Sequence, residues 1–325
     1  MPVYQAEGTV REAAGSVLGG TFEDLELVAV DDGSSDRSAE ILQELARGDG
    51  RVRVIRAPHR GITGALIASL AAARAPLVAR MDADDLSHPE RLARQWQALE
   101  RHPEWVGVGC RFQWLAESEP TAGMERYAVW QNSLVTPGEI RRGMFIENPV
   151  THATLLLRRE ALAAAGGYVA GEFSEDYDLV LRLLTGGREL GKVPEVLYQW
   201  RESGGRLTRT GDHCSAESFH RTRVHYLLRH VLAGRGRVTL WGVGQLGADW
   251  KRSLTEAGLE VDHHPVNPRA LKTSRGGRVL IPPERLPASG EITLIACGTQ
   301  VNRDLLREAA GSTGLAEGTS FWCVG

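Results

Sequence analysis

Short apolar runs alternate with helical patterns through the first hundred residues, and this alternation constrains the fold more than any other feature of the chain. Leu25–Val30 (LELVAV), Val52–Ile55 and Leu77–Met81 have strand length. Residues 7–18 place Val10, Ala13, Ala14, Val17 and Leu18 on one helical face. Ile41, Leu42 and Leu45 mark a second helix, and Gly61–Ala73 a third. Strands separated by helices of about 10–15 residues predict βαβ units and a parallel sheet. Such crossovers are right-handed and collect the strand C-termini along one edge, where open α/β sheets bind ligands. Ser87-x-x-Glu90 with Pro89 predicts a capped helix start, with Leu92, Trp96 and Leu99 as the buried stripe that follows. MPVYQAE reads as the end of a strand with nothing ahead of it, so either the first strand is very short or the natural start lies upstream.

Two of those strands end in acids. Asp31-Asp32 follow the first, and Asp82-Ala83-Asp84-Asp85 the third. Clustered carboxylates raise one another's pKa, and a divalent cation relieves the repulsion. Hard oxygen ligands suit Mg²⁺ or Mn²⁺, which also bind substrate phosphates. The plainer alternative is a pair of Asp-rich turns capping the next helix. Two such clusters after strands of one series favour a metal–diphosphate clamp.

Composition narrows the class. With 38 Lys+Arg against 41 Asp+Glu, the net charge of −3 speaks against a dedicated nucleic-acid binder. No apolar run reaches the roughly 18–20 residues that span a bilayer. The N-terminus lacks the pattern of a secretion signal. Cys110, Cys214, Cys297 and Cys323 form no paired motif, which disfavours a cysteine zinc site or a disulfide framework. The expectation is a cytoplasmic protein of about two domains.

The stretches MPVYQAE, LELVAVDDGSSDRSAEIL and RMDADDLSHPERLARQ, then NPVTHATLLLRREALAAAGGY, FSEDYDLVLRLL and VPEVLYQWR, resemble the family 2 glycosyltransferases. The resemblance covers roughly residues 1–205. It implies a GT-A fold and inverting transfer of a sugar from a nucleotide-diphosphate donor (UDP-, GDP- or dTDP-sugar) to a hydroxyl of a glycan or lipid-linked acceptor. It further implies that Pro2, Tyr4 and Glu7 line the nucleoside pocket and that Asp32, or its neighbour Asp31, holds the base. Asp82 would lie near the ribose and Asp84 nearest a Mn²⁺ or Mg²⁺ ion, with Asp85 an alternative ligand. Asp176 would be the catalytic base, with Asp178 the runner-up and Glu175 orienting the acceptor. His152 would border the donor or acceptor site; the alternative is a strand histidine satisfied by the backbone. Gln5 departs from the family's usual Asn. The QxxRW motif and membrane helices of processive relatives are absent, which favours single addition.

Beyond residue 105 the pattern is less regular. Val150–Leu157 reads as a strand, Arg159–Ala165 and Ser174–Thr185 as helices, and Leu190–Trp200 as a final strand. A basic connector follows over 206–236. Its helix, Ser215–Leu232, carries Arg221, Arg223 and Arg229, and Arg235 and Arg237 lie beyond it. This basic face is either solvated or touches anionic lipid at the inner membrane face. A small Rossmann-like α/β domain is expected over 237–325. Gly242-x-Gly244-x-x-Gly247 follows a strand there and Asp262 comes about twenty residues later, as in the dinucleotide fingerprint. That motif is weak alone, and a vestigial or interaction module, such as one that mediates dimerisation, is favoured over a nucleotide site. Two competing readings remain: an NAD(P)-linked oxidoreductase built on these glycines, which leaves the acids unexplained, and a non-catalytic nucleotide-sugar-binding protein.

Overall fold

A computed structural model describes residues 1–116, 120–202, 215–266 and 290–325. Cys214 and the start of the expected connector lie outside the described residues. The chain forms two compact units: Met1–Ile140 with Val150–Ser218, and Arg141–Pro149 with Phe219–Gly325.

The first unit begins with β1 (Pro2–Val3), α1 (Val10–Leu18), β2 (Leu27–Asp31), α2 (Ser38–Gly48) and β3 (Val52–Arg56). The three strands form a parallel sheet in the order β1-β2-β3. The first strand is therefore a two-residue element, with Val3 opposite Asp31. β2 is apolar up to its closing Asp31 because both its faces are covered. Leu27 and Ala29 join Val10, Ala13 and Ile41 in the main core, whereas Val28 and Val30 pack with Ala65 of α3 (Gly61–Ala72).

β4 (Leu77–Ala79), β5 (Leu86–Ser87), α4 (Arg91–Arg101), β6 (Trp105–Ala116), α5 (Ala122–Ser133) and α6 (Pro137–Gly143) follow. Then come β7 (Leu156–Arg158), α7 (Arg159–Ala164), α8 (Glu175–Thr185) and β8 (Glu189–Glu202). The second sheet runs β4-β7-β6-β8-β5. β6 and β8 pair in parallel over most of their length, with irregularities around Cys110–Phe112; the other three pairs are antiparallel.

Three expectations need correction. Ser87 caps no helix: it is buried in β5, its N–H donates to Ser16 Oγ (3.0 Å), and α4 starts at Arg91 behind Glu90. The buried face of α4 is Arg91, Gln95, Ala98 and Leu99, while Trp96 is 40% exposed. Residues 152–154 form a 3₁₀ turn rather than a strand, and β7 begins only at Leu156.

The second unit carries a four-stranded parallel sheet in the order β10-β9-β11-β12: β9 (Arg237–Gly242), β10 (Glu260–His264), β11 (Thr293–Ala296) and β12 (Phe321–Val324). Helices Gly244–Glu256 and Gln300–Ser312 accompany it. Arg141–Pro149 is built into this unit. Phe145 O accepts from Gly325 N–H at 2.9 Å, Ile146 O accepts from Arg223 Nη1 at 2.5 Å, and Phe145 meets Trp322 edge-on. Among the described residues no helix is long and apolar enough to cross a membrane.

Candidate functional site

The loop from β4 to β5 carries the acids. One ligand atom from each of Asp82, Asp84 and Asp85 lies within 4.8 Å of the others. Asp85 is fully buried, and the neighbouring strand β8 holds it. Tyr198 donates its hydroxyl to Oδ2 (2.8 Å), and the Arg201 N–H donates to Oδ1 (2.7 Å). Arg201 Nε also donates to Asp84 O (2.7 Å), and its Nη2 to Glu12 (2.7 Å). Burial, then Asp85 and Asp82, push the Tyr198 phenol well above its ordinary pKa, so it stays a donor. Three hard carboxylates converging this closely suit a Mg²⁺- or Mn²⁺-sized ion by chemistry and spacing.

A second group of side chains gathers around Arg80. Arg80 is 7% exposed, and its Nη1 lies 2.6 Å from Asp82 Oδ1. His152 is buried, with Nε2 2.8 Å from the Tyr168 hydroxyl. Burial, with Arg80 adding to it, lowers the imidazole to about 3, so it is neutral at ordinary pH. Burial, Asp176 and Asp82 raise the Glu175 carboxyl to about 7, against a backbone hydrogen bond and Arg80, which lower it. Glu175 and Asp176 open α8, where the helix dipole favours anions. Asp176 Oδ1 accepts from Ser174 Oγ and from Tyr177 N–H, both at 2.6 Å. Asp178, by contrast, pairs with Arg182 at 2.7 Å. Arg182 also binds the carbonyls of Ala165 and Gly167, which ties Asp178 to the turn after α7.

The expected nucleoside residues cluster at the end of β2. Pro2 is buried in β1. Tyr4 is half-exposed and stacks on His59, centroids 4.2 Å apart. Gln5, at φ 49°, accepts from the N–H groups of Ser35 and Asp36 through Oε1. Glu7 accepts from Arg37 N–H (3.0 Å) at the start of α2. Asp32 is occupied by His59 Nδ1 (2.8 Å) and Arg60 N–H (2.9 Å). Asp31 accepts from Ser34 N–H through Oδ1, and Arg56 Nε lies 3.6 Å from Oδ2. Oδ2 itself is buried without a hydrogen-bond partner. The acids of the β4–β5 loop, Arg80, His152 and Glu175–Asp176 thus form one network of contacts and electrostatic interactions, and Asp32 pairs with His59, on which Tyr4 stacks. Sequence reasoning gave no role to Arg80, Tyr168, Tyr198, Arg201 or His59. The one local signal was Arg80, two residues before Asp82 and so on the same face of extended chain.

A family model described as glycosyl transferase family 2 matches residues 1–166. The chain belongs to glycosyltransferase family 2. The putative glycosyltransferase EpsE of Bacillus subtilis is 30% identical over 214 residues, covering 64% of this chain and 74% of that protein. The O-antigen biosynthesis glycosyltransferase WbnJ of Escherichia coli is 28% identical over 186 residues, 57% of this chain and 70% of that one. Among solved structures, S. aureus TarS 1-349 in complex with UDP-GlcNAc superposes with a TM-score of 0.57 at 16% identity, over 71% of this chain and 66% of that chain. The mannosyltransferase PcManGT from Pyrobaculum calidifontis, in complex with GDP-Man and Mn²⁺, gives 0.52 at 18% identity, over 79% and 78%. These likenesses establish the GT-A fold.

In the second unit of this glycosyltransferase the fingerprint glycines have a packing reason. A Cβ on Gly247 would stand 3.1 Å from the Gly242 carbonyl carbon, and one on Gly242 would stand 3.0 Å from the Ala296 Cβ. Gly244 sits at φ 70° with open space beside it. Asp262 stands opposite Thr239, one side chain from His264 (3.1 Å) and 3.7 Å from Arg237. It is not brought to the glycine turn; His263 is, with Nε2 3.1 Å from Gly242 O. The basic stretch is partly neutralised: Arg223 is buried on Ile146 O, Arg235 bonds Gly290 O, and Arg237 pairs with Glu260, Asp262 and Glu291.

Proposed function

We propose that residues 1–205 catalyse inverting, single-addition transfer of a sugar from a nucleotide-diphosphate donor to a hydroxyl of a glycan or lipid-linked acceptor. Cell-envelope or polysaccharide synthesis is the setting that relatives such as WbnJ suggest. The observation that carries the reading is the convergence of Asp82, Asp84 and Asp85 beside a second acidic pair, Glu175–Asp176, whose Glu175 feels the charge of Asp82.

Asp84, with Asp82 and Asp85, would hold Mn²⁺ or Mg²⁺, as the donor set fits. Such an ion, when bound, neutralises charge on the leaving diphosphate. Asp176 takes the acceptor proton as the acceptor oxygen bonds to the anomeric carbon, and the bond from that carbon to the diphosphate oxygen breaks. A base so placed contributes typically ~10²–10⁴-fold. The Ser174 and Tyr177 hydrogen bonds fix the Asp176 carboxylate at the head of α8. Glu175 orients the acceptor, and His152, kept neutral, borders the site. Tyr4 supplies a stacking face for the base, with Pro2 and Glu7 shaping the loop that presents it. Between the paired acids, Asp31 is the better base ligand, because His59 and Arg60 already occupy Asp32.

The test is Asp176→Asn, assayed for transfer and by calorimetry with UDP- and GDP-sugars in Mn²⁺. Transfer should vanish while donor affinity stays within about twofold of wild type. Unchanged turnover would refute the assignment.

A further inference from the structure

The structure buries a permanent cation directly behind the acid cluster. The Arg80 backbone is fixed on both sides: its N–H donates to Leu155 O (2.8 Å), and its carbonyl accepts from the buried Arg91 Nη2 (3.2 Å). Its guanidinium is buried, with Nη1 2.6 Å from Asp82 Oδ1. Among the described residues, the groups that interact with it include Asp82, the Tyr168 and Tyr198 hydroxyls, His152, Glu175, the Met1 amino group and the buried Arg91 guanidinium. His152 contributes no charge there, because burial keeps it neutral. Arg80 is thus a buried counter-charge in direct contact with Asp82.

Resting on the donor reading above, we propose that Arg80 is a positioning residue that makes metal binding depend on the donor. It holds Asp82 in one orientation and opposes the arrival of a bare divalent ion at the acids. An ion arriving alone adds two positive charges beside a buried guanidinium, where charges interact far more strongly than in water. An ion arriving with a nucleoside diphosphate sugar adds none, since the diphosphate brings two negative charges. Arg80 therefore discriminates against the empty metal complex and leaves the loaded one unaffected. The order of assembly is metal with nucleotide, not metal first.

The experiment is a Mn²⁺ titration of the full chain, read by the paramagnetic signal of free Mn²⁺, alone and with UDP or GDP. Wild type and Arg80→Lys should bind Mn²⁺ weakly alone and at least about tenfold tighter with nucleotide. Arg80→Gln should bind Mn²⁺ alone about tenfold tighter than wild type, and lose most of the nucleotide dependence. A merely structural arginine predicts the reverse, weaker metal binding in the neutral variant. Folded Arg80→Gln that binds Mn²⁺ alone no tighter than wild type overturns the proposal and leaves the donor reading intact. If Arg80→Gln does not fold, wild type still decides: equal Mn²⁺ affinity with and without nucleotide overturns the proposal. Failure of both nucleotides to bind in Mn²⁺ removes the donor reading, and the proposal with it.

Discussion

Replacing His152 by Asn should invert the acid response of the fold. Burial, with Arg80 in support, takes this imidazole from its ordinary 6.5 down to about 3. As pH falls, the unfolded chain therefore binds the proton first. A base whose folded pKa is depressed gives stability that is whole above 6.5 and drains away toward about pH 3, at ~1.4 kcal/mol per pH unit. The variant lacks the drain, but it also loses the contact with the Tyr168 hydroxyl, a buried hydrogen bond worth ~1 kcal/mol. The stability of wild type minus that of His152→Asn should thus be about +1 kcal/mol near pH 7.5, pass zero near pH 6, and reach roughly −2 kcal/mol near pH 4.5. Glu175 pulls the other way: its carboxyl is raised from 4.5 to about 7, so its stabilising proton is lost as pH rises through 7. Both proteins carry that contribution, and the difference removes it to first order. The assay is urea unfolding in pH steps, fitted by linear extrapolation. A difference that stays flat, or that grows in favour of wild type on acidification, would refute the argument from burial.

Two further outcomes follow from local geometry. Tyr198→Phe removes a hydrogen bond to the buried Asp85 carboxylate, worth about 1.5–3 kcal/mol, and should lower Tm by roughly 3–12 °C in a thermal scan; an unchanged Tm would show that Asp85 does not rely on it. Gly191→Ala would set a Cβ 2.1 Å from Trp105 Cζ3 and should cost ~1–3 kcal/mol or more, whereas Gly15→Ala, in α1 with nothing within 4 Å, should gain about 0.5–1 kcal/mol. Equal effects at the two glycines would remove the packing explanation.

These residues also show what could be read from the chain alone. β2 was legible because both its faces are dry, so Leu27–Val30 is an uninterrupted apolar run. β6 was passed over although Val106, Val108, Cys110, Phe112 and Trp114 alternate with Gly107, Gly109, Arg111 and Gln113, the period-2 signature of a strand; the two glycines make that signature faint. Those two glycines answer to distant residues: a Cβ on Gly107 would meet Leu157 at 2.4 Å, and one on Gly109 would meet Val150 at 2.8 Å. The α4 face was misjudged for a related reason. Its buried side is polar: Gln95 Nε2 donates to Val108 O and Thr154 O, and Arg91 to Ala153 O and Arg80 O. Buried polar groups satisfied by remote carbonyls leave no periodic apolar signal. In the site, the acids were visible because they sit at strand ends, where the fold class places ligands. Their partners were not, since Tyr198 and Arg201 reach Asp85 and Asp84 from more than a hundred residues away.

The placement of Arg141–Pro149 has a practical consequence. A fragment cut at residue 205 would keep this stretch but discard the Arg223 guanidinium and the Gly325 N–H that its carbonyls receive. It would also strip Phe145 of its Trp322 neighbour, leaving an aromatic ring and two backbone acceptors in water. Neither half of this protein is a single uninterrupted piece of chain, so shortening it from the C-terminal end risks stickiness well before any residue of the candidate site is lost.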